Sequence, residues 1–278
     1  MSLSTETTKY LNNLCRKFRI DLIQMLHKAQ TGHPGGSLSA TEIITTLYFE
    51  KMKVFPENPE SPERDRFILS KGHAAPMLYL ALAEKGFFQK EELKSFRQLD
   101  SILQGHPCVK GTPGIDLSTG PLGLGVSAAA GMAIGNKLKN INSYVYVIMG
   151  DGELQEGIVW EAAMSASKFK LNNLIAILDN NGVQLDGTVE DIMPMLDITK
   201  KWEAFGWNVI NIDGHDVDQI SEAIDSAKQS IDKPTIIIAK TIKGKGVSFM
   251  EGKNIWHGKP INNEEYEKAM AQLEEDEK

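Results

Sequence analysis

The chain has very few cysteines and no long apolar segment. Cys15 and Cys108 are too few for a disulfide framework or for a thiolate zinc site, which indicates a protein of a reducing compartment. No uninterrupted apolar run approaches the ~20 residues that a membrane-spanning helix needs. Residues 1–6 lack the basic and apolar regions of a secretory signal. We therefore expect a cytoplasmic globular protein that does not enter membranes.

Positive charge is also scarce. The chain has 30 lysines and arginines against 37 acidic residues, so its formal net charge is −7. This balance argues against a nucleic-acid-binding protein, whose surface carries a basic patch. It also argues against an anionic membrane surface as a partner, since that needs a stripe of Lys and Arg. We therefore expect neither nucleic acid nor a membrane among its partners.

From residue 144 onward, apolar strands alternate with helical segments. The strands predicted there are 144–149, 174–178, 207–212 and 235–239, and the helices between them are 158–168, 198–205 and 217–230. Before them, the pattern predicts helices at 8–30, 39–51, 74–85, 90–98 and 125–138, and a short strand at 66–70. The sequence Gly-His-Pro-Gly-Gly at 32–36 is predicted to interrupt the helical pattern.

Continuous apolar strands separated by helices are typical of a parallel sheet that is buried on both faces. The sequence therefore predicts an α/β fold, with a parallel sheet flanked by helices. Neither a linker nor an internal repeat divides the chain, so we expect a single domain over residues 1–278. The acidic residues at 274–278 are predicted to form a flexible tail.

Two successive strands of the predicted sheet end in polar residues. The first runs into Gly-Asp-Gly around Asp151, and the next runs into Asn-Asn-Gly around Asn181. One strand–helix–strand unit separates the two, and such a unit returns the chain to the same edge of the sheet. Carboxylate and amide oxygens are ligands that Mg²⁺ prefers, and the glycines leave room for a phosphate. Either motif alone is more often an ordinary turn, but the pair predicts a metal–phosphate site.

Short motifs in a fixed order resemble those of the transketolases, which are thiamine-diphosphate enzymes. The motifs are Gly32-His33-Pro34-Gly35, Ser70-Lys71-Gly72-His73-Ala74, Gly105-His106-Pro107, residues 118–125, residues 150–157, residues 178–182 and Trp256-His257-Gly258. The resemblance implies the thiamine-diphosphate-binding fold and its diphosphate-binding domain. It implies thiamine diphosphate and Mg²⁺ as cofactors, or Ca²⁺ or Mn²⁺ in place of Mg²⁺. The implied reaction, typical of the pentose phosphate pathway, moves a two-carbon ketol unit from a ketose phosphate to an aldose phosphate.

The resemblance also implies roles for single residues. Positions that touch the sugar match His33, His106 and His257, which together with Glu156 are the candidate catalytic residues. Positions that contact the cofactor match His73, Gly120, Leu122, Gly152, Glu156, Asn181 and His257. The implied metal ligands are Asp151, Asn181 and the carbonyl of Val183, where isoleucine is commoner in the family. Without the resemblance, each loop histidine is equally well explained as a structural residue.

No segment of this sequence resembles the pyrimidine-binding domain of the transketolases. In the family that domain supplies the glutamate that activates the cofactor, and Glu156 and Glu161 match carboxylates that meet this glutamate across a subunit interface. It also supplies the arginines that bind the substrate phosphate, and none of the five arginines of this chain lies in a motif loop. The chain therefore resembles the N-terminal subunit of a split transketolase. We expect a separate C-terminal subunit, no activity without it, and a dimer of heterodimers.

Two other interpretations stay open on the sequence. One is a non-catalytic subunit that binds thiamine diphosphate. The other is a component of a related enzyme, such as a deoxyxylulose-phosphate synthase or a dehydrogenase. The three histidines at sugar-facing positions favour transketolase. The sequence does not indicate which sugar phosphates are preferred, because the phosphate end is bound by the missing domain.

Overall fold

A five-stranded parallel sheet forms the centre of the computed structural model, which describes residues 2–275. Its strands are β1 (Arg66–Leu69), β2 (Val145–Gly150), β3 (Leu174–Asn180), β4 (Asn208–Asp213) and β5 (Thr235–Lys240), in the spatial order β1-β2-β3-β5-β4. All four neighbouring pairs are parallel. The carboxyl ends of the strands therefore lie at one edge, and the predicted fold class is confirmed.

Helices cover both faces of the sheet. They are α1 (Thr5–Ala29), α2 (Pro34–Ser39), α3 (Thr41–Thr46), α4 (Ala75–Lys85), α5 (Leu124–Leu138), α6 (Gly157–Lys168), α7 (Val189–Ile192), α8 (Ile198–Ala204), α9 (Val217–Lys228) and α10 (Asn263–Glu275). A π-helical turn, Leu47–Lys51, continues α3. Short 3-10 turns are Gly72–Ala74, Lys90–Ser95, Gly152–Gln155 and Asn254–His257. The helices α2, α7 and α10 and the last two of these turns were not predicted. The segment 90–98, predicted as a helix, contains only the 3-10 turn Lys90–Ser95.

The strands alternate their side chains between two apolar cores. In β2, Tyr146 and Ile148 pack into the core that lies under α1, α3, α4 and α9. Val145, Val147 and Met149 pack into the other core, under α5, α6 and α8. Because both sets are fully buried, β2 needs apolar residues at every position, which is why its sequence shows no polar alternation. The edge strand β4 differs, since four of its residues are only partly buried and Asn211 and Asp213 are exposed.

The sequence predicted that the Gly-His-Pro-Gly-Gly segment interrupts the helical pattern. In the structure, this segment also contains the start of a new helix. Helix α2 begins at Pro34, a position that suits proline because the first N–H of a helix has no partner within it. The two glycines lie inside this helix, where neighbouring groups approach closely. A Cβ atom on Gly35 would lie 2.8 Å from the carbonyl oxygen of Trp256, and one on Gly36 would lie 3.1 Å from Nε2 of His73.

The predicted acidic tail is wrong where the structure describes it. Glu274 and Glu275 belong to the last turn of α10, whose Met270 and Leu273 are buried. The guanidinium of Arg16 donates hydrogen bonds to the carbonyl oxygens of Leu273 and Glu274, which stabilises this helix end. The rest of the predicted tail, 276–278, lies outside the described residues. Among residues 2–275, no helix combines the length and the apolarity needed to cross a bilayer.

Two glycines in α5 give a matched test of the packing that positions this helix. A Cβ atom on Gly125 would lie 2.6 Å from Cβ and 2.9 Å from Cα of Ser70, whereas nothing lies within 4 Å of one on Gly131. We expect Gly125→Ala to lower the free energy of unfolding by about 2 kcal/mol through overpacking. Gly131→Ala should raise it by about 0.5–1 kcal/mol, because alanine is the better helix former. Urea unfolding checks both, and equal effects would contradict the packing.

Candidate functional site

One cavity at the carboxyl edge of the sheet contains every predicted site residue. It has a volume of about 420 Å³. The eleven predicted residues in its lining are His33, His73, His106, Gly120, Leu122, Asp151, Gly152, Glu156, Asn181, Val183 and His257. A larger cavity, of about 680 Å³, lies beside the ends of β4 and β5 and contains none of them. The chemistry predicted from the sequence therefore converges on the smaller cavity.

The ends of β2 and β3 meet in this cavity. Gly150 of β2 is in register with Asp179 of β3, so the residues that follow both strands lie side by side. The carboxylate of Asp151 accepts a hydrogen bond of 2.5 Å from the N–H of Gly182, the residue after Asn181. Burial, and secondarily the nearby Asp179, raises the pKa of Asp151 to about 6. Because burial disfavours the charged form of Asp151, a bound cation would stabilise its carboxylate.

Asp179 was not assigned a role from the sequence, although it lies within a quoted motif. It is fully buried and accepts hydrogen bonds from Ser39 (2.5 Å), Thr241 and the ammonium of Lys71. Burial would raise its pKa, but Lys71 and these donors hold the pKa below its usual value. The Nδ2 group of Asn181 also faces Asp179 at 3.4 Å. Asp179 therefore orients the amide of Asn181, whose Oδ1 atom accepts a hydrogen bond of 3.0 Å from the N–H of Val183 and keeps a second lone pair for another partner.

Four histidine rings cluster in the cavity. The His33 ring lies 5.4 Å from those of His73 and His257, and 6.3 Å from that of His106. Burial is the main cause that lowers the pKa of His33 to about 4, with Arg97 adding to it. Burial and the ammonium of Lys243 lower the pKa of His257 to about 3. These rings are therefore neutral near pH 7 and able to donate or accept hydrogen bonds.

Lys243 was also missed by the sequence reasoning. Its ammonium donates to the carbonyl oxygens of Val183 (3.0 Å) and Gln184 (3.3 Å), and lies 3.1 Å from Nδ1 of His257. Within residues 2–275 it has no carboxylate at salt-bridge distance. Burial, and then the nearby Lys71, lowers its pKa to about 8. A buried cation without a carboxylate partner makes this part of the cavity suited to an anion.

Comparison with known proteins shows the family to which the chain belongs. Residues 9–277 match the family described as transketolase, thiamine diphosphate binding domain. The chain belongs to this transketolase family. It is 46% identical to the 6-deoxy-6-sulfo-D-fructose transketolase subunit SqwG of Clostridium sp. (strain MSTE9), over 95% of both chains.

The chain spans less than half the length of the longer transketolases that it matches. It is 44% identical to human transketolase, over 95% of this chain and 42% of that protein. The crystal structure of transketolase from Campylobacter jejuni superposes with a TM-score of 0.89 at 37% identity, covering 98% of this chain and 43% of that one. These matches confirm that the chain corresponds to an N-terminal transketolase subunit, as the sequence motifs predicted.

A third buried carboxylate, that of Glu153, joins several segments of this transketolase cavity. Glu153 accepts hydrogen bonds from the N–H groups of Gly123 (2.6 Å) and Gly150 (3.1 Å), and from the hydroxyl of Ser70. Burial raises its pKa despite these donors. The three donors come from the segment before α5, the end of β2 and the segment after β1. Glu153 therefore fixes the relative positions of three of the motif segments, which no local pattern in the sequence revealed.

No arginine lies in a motif loop, yet one of the five is in contact with motif residues. The tertiary structure brings Arg97, which lies outside the motifs, against two of them. Its Nη2 atom lies 3.4 Å from Nδ1 of His33 and 3.3 Å from the carbonyl oxygen of Gly105. Its Nη1 atom donates to the hydroxyl of Thr31 at 2.7 Å. Arg97 supports the cavity from behind and is absent from the cavity lining.

The lowered pKa of His33 predicts sensitivity to acid. The unfolded chain protonates this residue near pH 6.5, whereas in the folded chain it stays neutral down to about pH 4. Its contribution to the free energy of unfolding is therefore present above pH 6.5 and is lost as the pH falls toward 4. Between pH 7.5 and 5, the wild type should lose about 1 kcal/mol more than His33→Gln, allowing for partial exposure. Urea unfolding at both pH values measures this, and equal losses would contradict it.

Proposed function

We propose that this chain binds thiamine diphosphate with Mg²⁺ and, with a separate C-terminal subunit, transfers a two-carbon ketol unit from a ketose phosphate to an aldose phosphate. The observation that carries the proposal is the convergence of three features in one cavity. These are the oxygen donors at the ends of β2 and β3, the buried ammonium of Lys243, and the cluster of neutral histidines. The family match supports the cofactor class.

The donors at the strand ends fit a divalent cation. Asp151 offers a buried carboxylate, Asn181 its Oδ1 atom, and Val183 a carbonyl oxygen, and such hard oxygen donors are what Mg²⁺ prefers. In this structure the ammonium of Lys243 lies on the Val183 carbonyl at 3.0 Å, so a positive charge is already accepted at this oxygen. Among residues 2–275, no group of three His, Cys, Asp or Glu side chains could hold a metal. The proposed site does not require one, since it uses a single carboxylate.

The diphosphate would lie between the cation and the basic groups of the cavity. Lys243 and His73 provide a positive charge and a ring nitrogen, and Gly152 provides backbone that an anion can approach closely. When bound, thiamine diphosphate supplies an electron sink for breaking a carbon–carbon bond beside a carbonyl. His33, His106 and His257 would bind the hydroxyl and carbonyl oxygens of the sugar, and histidines of this group would move protons at those atoms.

The rim of the cavity is suited to a protein partner. Glu156 stands at the start of α6, but its side chain makes no capping hydrogen bond, and both it and Glu161 are exposed. The apolar side chains of Leu185, which lines the cavity, and Met193, whose carbonyl oxygen accepts a hydrogen bond from Gln155, are more than half exposed. We propose that the C-terminal subunit covers this rim and brings the pyrimidine-binding domain. A dimer of two such pairs, and a cytoplasmic location, stay predictions.

The metal assignment predicts a specific loss. Thiamine diphosphate with Mg²⁺, at about 100 times the dissociation constant, should raise the melting temperature of the wild-type chain by about 5–10 °C. Asp151→Ala should abolish this rise, because the cation loses its carboxylate ligand. Asp186→Ala is the matched control, since Asp186 lines the same cavity but is not a proposed ligand, and it should keep the rise. An unchanged rise in Asp151→Ala, measured by differential scanning fluorimetry, would overturn the assignment.

The partner assignment predicts that neither subunit is active alone. We expect ketol transfer only when the chain is mixed with the C-terminal subunit, thiamine diphosphate and Mg²⁺. Met193→Lys, on the proposed interface, should weaken assembly, measured by sedimentation. Leu138→Lys, at the end of α5 away from the cavity, replaces a side chain that is also exposed and should assemble normally. Robust transfer by the chain alone would refute the need for a partner. An assembled but inactive pair would favour a non-catalytic binding subunit.

A further inference from the structure

The contact between Arg97 and His33 determines where the hydrogen of the neutral imidazole lies. A guanidinium carries only hydrogen-bond donors and stays protonated in proteins. Its Nη2 atom faces Nδ1 of His33 at 3.4 Å. If Nδ1 carried the hydrogen, two N–H groups would point at each other. Nδ1 must therefore be the acceptor, and because the ring is neutral at pH 7, its hydrogen lies on Nε2.

The guanidinium is held firmly enough to impose this choice. Besides His33, it donates to the hydroxyl of Thr31 at 2.7 Å and to the carbonyl oxygen of Gly105 at 3.3 Å. It also lies over the ring of Phe96, 5.4 Å from its centroid. Gly105 makes room for it, since a Cβ atom there would lie 3.0 Å from Nε of Arg97. The donor thus reaches His33 from a fixed direction.

The opposite nitrogen of His33 is free for a ligand. Within residues 2–275, Nε2 has no hydrogen-bond partner, and the ring lines the cavity. His106 differs, because neither of its ring nitrogens has a hydrogen-bond partner in the described part of the chain. Both tautomers therefore remain available to His106, whereas Arg97 selects one for His33. The two sugar-facing histidines are thus not equivalent.

We propose that Arg97 is a positioning residue that holds His33 as the Nε2–H tautomer, so that His33 donates a hydrogen bond to an oxygen of the sugar substrate and does not take a proton from it. The role in sugar binding rests on the proposed function. A fixed N–H donor suits a carbonyl oxygen, or an oxygen that gains negative charge when a carbon–carbon bond breaks. Removal of a hydroxyl proton then falls to a histidine with an available lone pair, such as His106.

Nitrogen NMR of the full chain tests the tautomer directly. With ¹⁵N-labelled histidine at pH 7.5, the signals of His33 are assigned by their loss in His33→Gln. We expect a pyrrole-like shift for Nε2 and a pyridine-like shift for Nδ1 in the wild type. In Arg97→Met the two shifts should move toward each other, because both tautomers become populated. A hydrogen on Nδ1 in the wild type would overturn the proposal, and this result does not depend on the folding of Arg97→Met.

Two further variants distinguish the effect of the Arg97–His33 hydrogen bond from the effect of a nearby positive charge. Lys94→Met removes a positive charge from the same short segment without touching His33, and it should leave the His33 shifts unchanged. Gly105→Ala keeps the charge but displaces the guanidinium, so it should shift His33 in the same direction as Arg97→Met. If neither Arg97→Met nor Gly105→Ala moves the shifts, Arg97 does not set the tautomer. If His33 has the expected tautomer but the chain does not bind thiamine diphosphate, the proposed function is overturned and the role of Arg97 in setting the tautomer is not.

Discussion

The parallel pairing of β2 with β3 is the constraint on which the site depends. Because Gly150 is in register with Asp179, the two strands end side by side, and Asp151 contacts the backbone beside Asn181. A carboxylate and an amide oxygen thus share one cleft without any long-range motif to bring them together. The helix α6 that connects the strands covers one face and leaves this edge open. Proposed metal binding, diphosphate binding and sugar binding all follow from that shared edge.

Holding such a polar cleft open inside an apolar protein has an energetic cost. Buried carboxylates are tolerated only where donors surround them. Asp179 meets this requirement with two hydroxyls and the ammonium of Lys71, and Glu153 meets it with two backbone N–H groups and a hydroxyl. Each carboxylate joins segments that are far apart in the chain. The charged groups beneath the cavity therefore act as the scaffold that positions the residues lining it.

The groups that line the cavity, and that are not neutralised by these buried contacts, determine which ligand the cavity suits. Lys243 is buried and, in the part of the chain that the structure describes, has no carboxylate at salt-bridge distance, and burial keeps His33 and His257 neutral. An anion would raise the pKa of Lys243 and relieve the cost of its burial, whereas the neutral rings suit uncharged oxygens of a sugar. Arg97 adds a further asymmetry, because it contacts one histidine and leaves its neighbour free. One end of the cavity is thus suited to a negatively charged group, and the other end is suited to hydrogen bonds with uncharged oxygens.

The sequence by itself determined the fold class, all five strands, most of the long helices and eleven of the twenty residues that line the cavity, because these depend on local periodicity and on short motifs shared with the transketolases. It mistook residues 32–36 for a simple interruption, since only the approach of Trp256 and His73 shows why glycines lie inside a helix. Tertiary structure alone decided the roles of Glu153, Lys243 and Arg97. Their partners come from distant segments, and the direction of a buried hydrogen bond leaves no trace in local sequence.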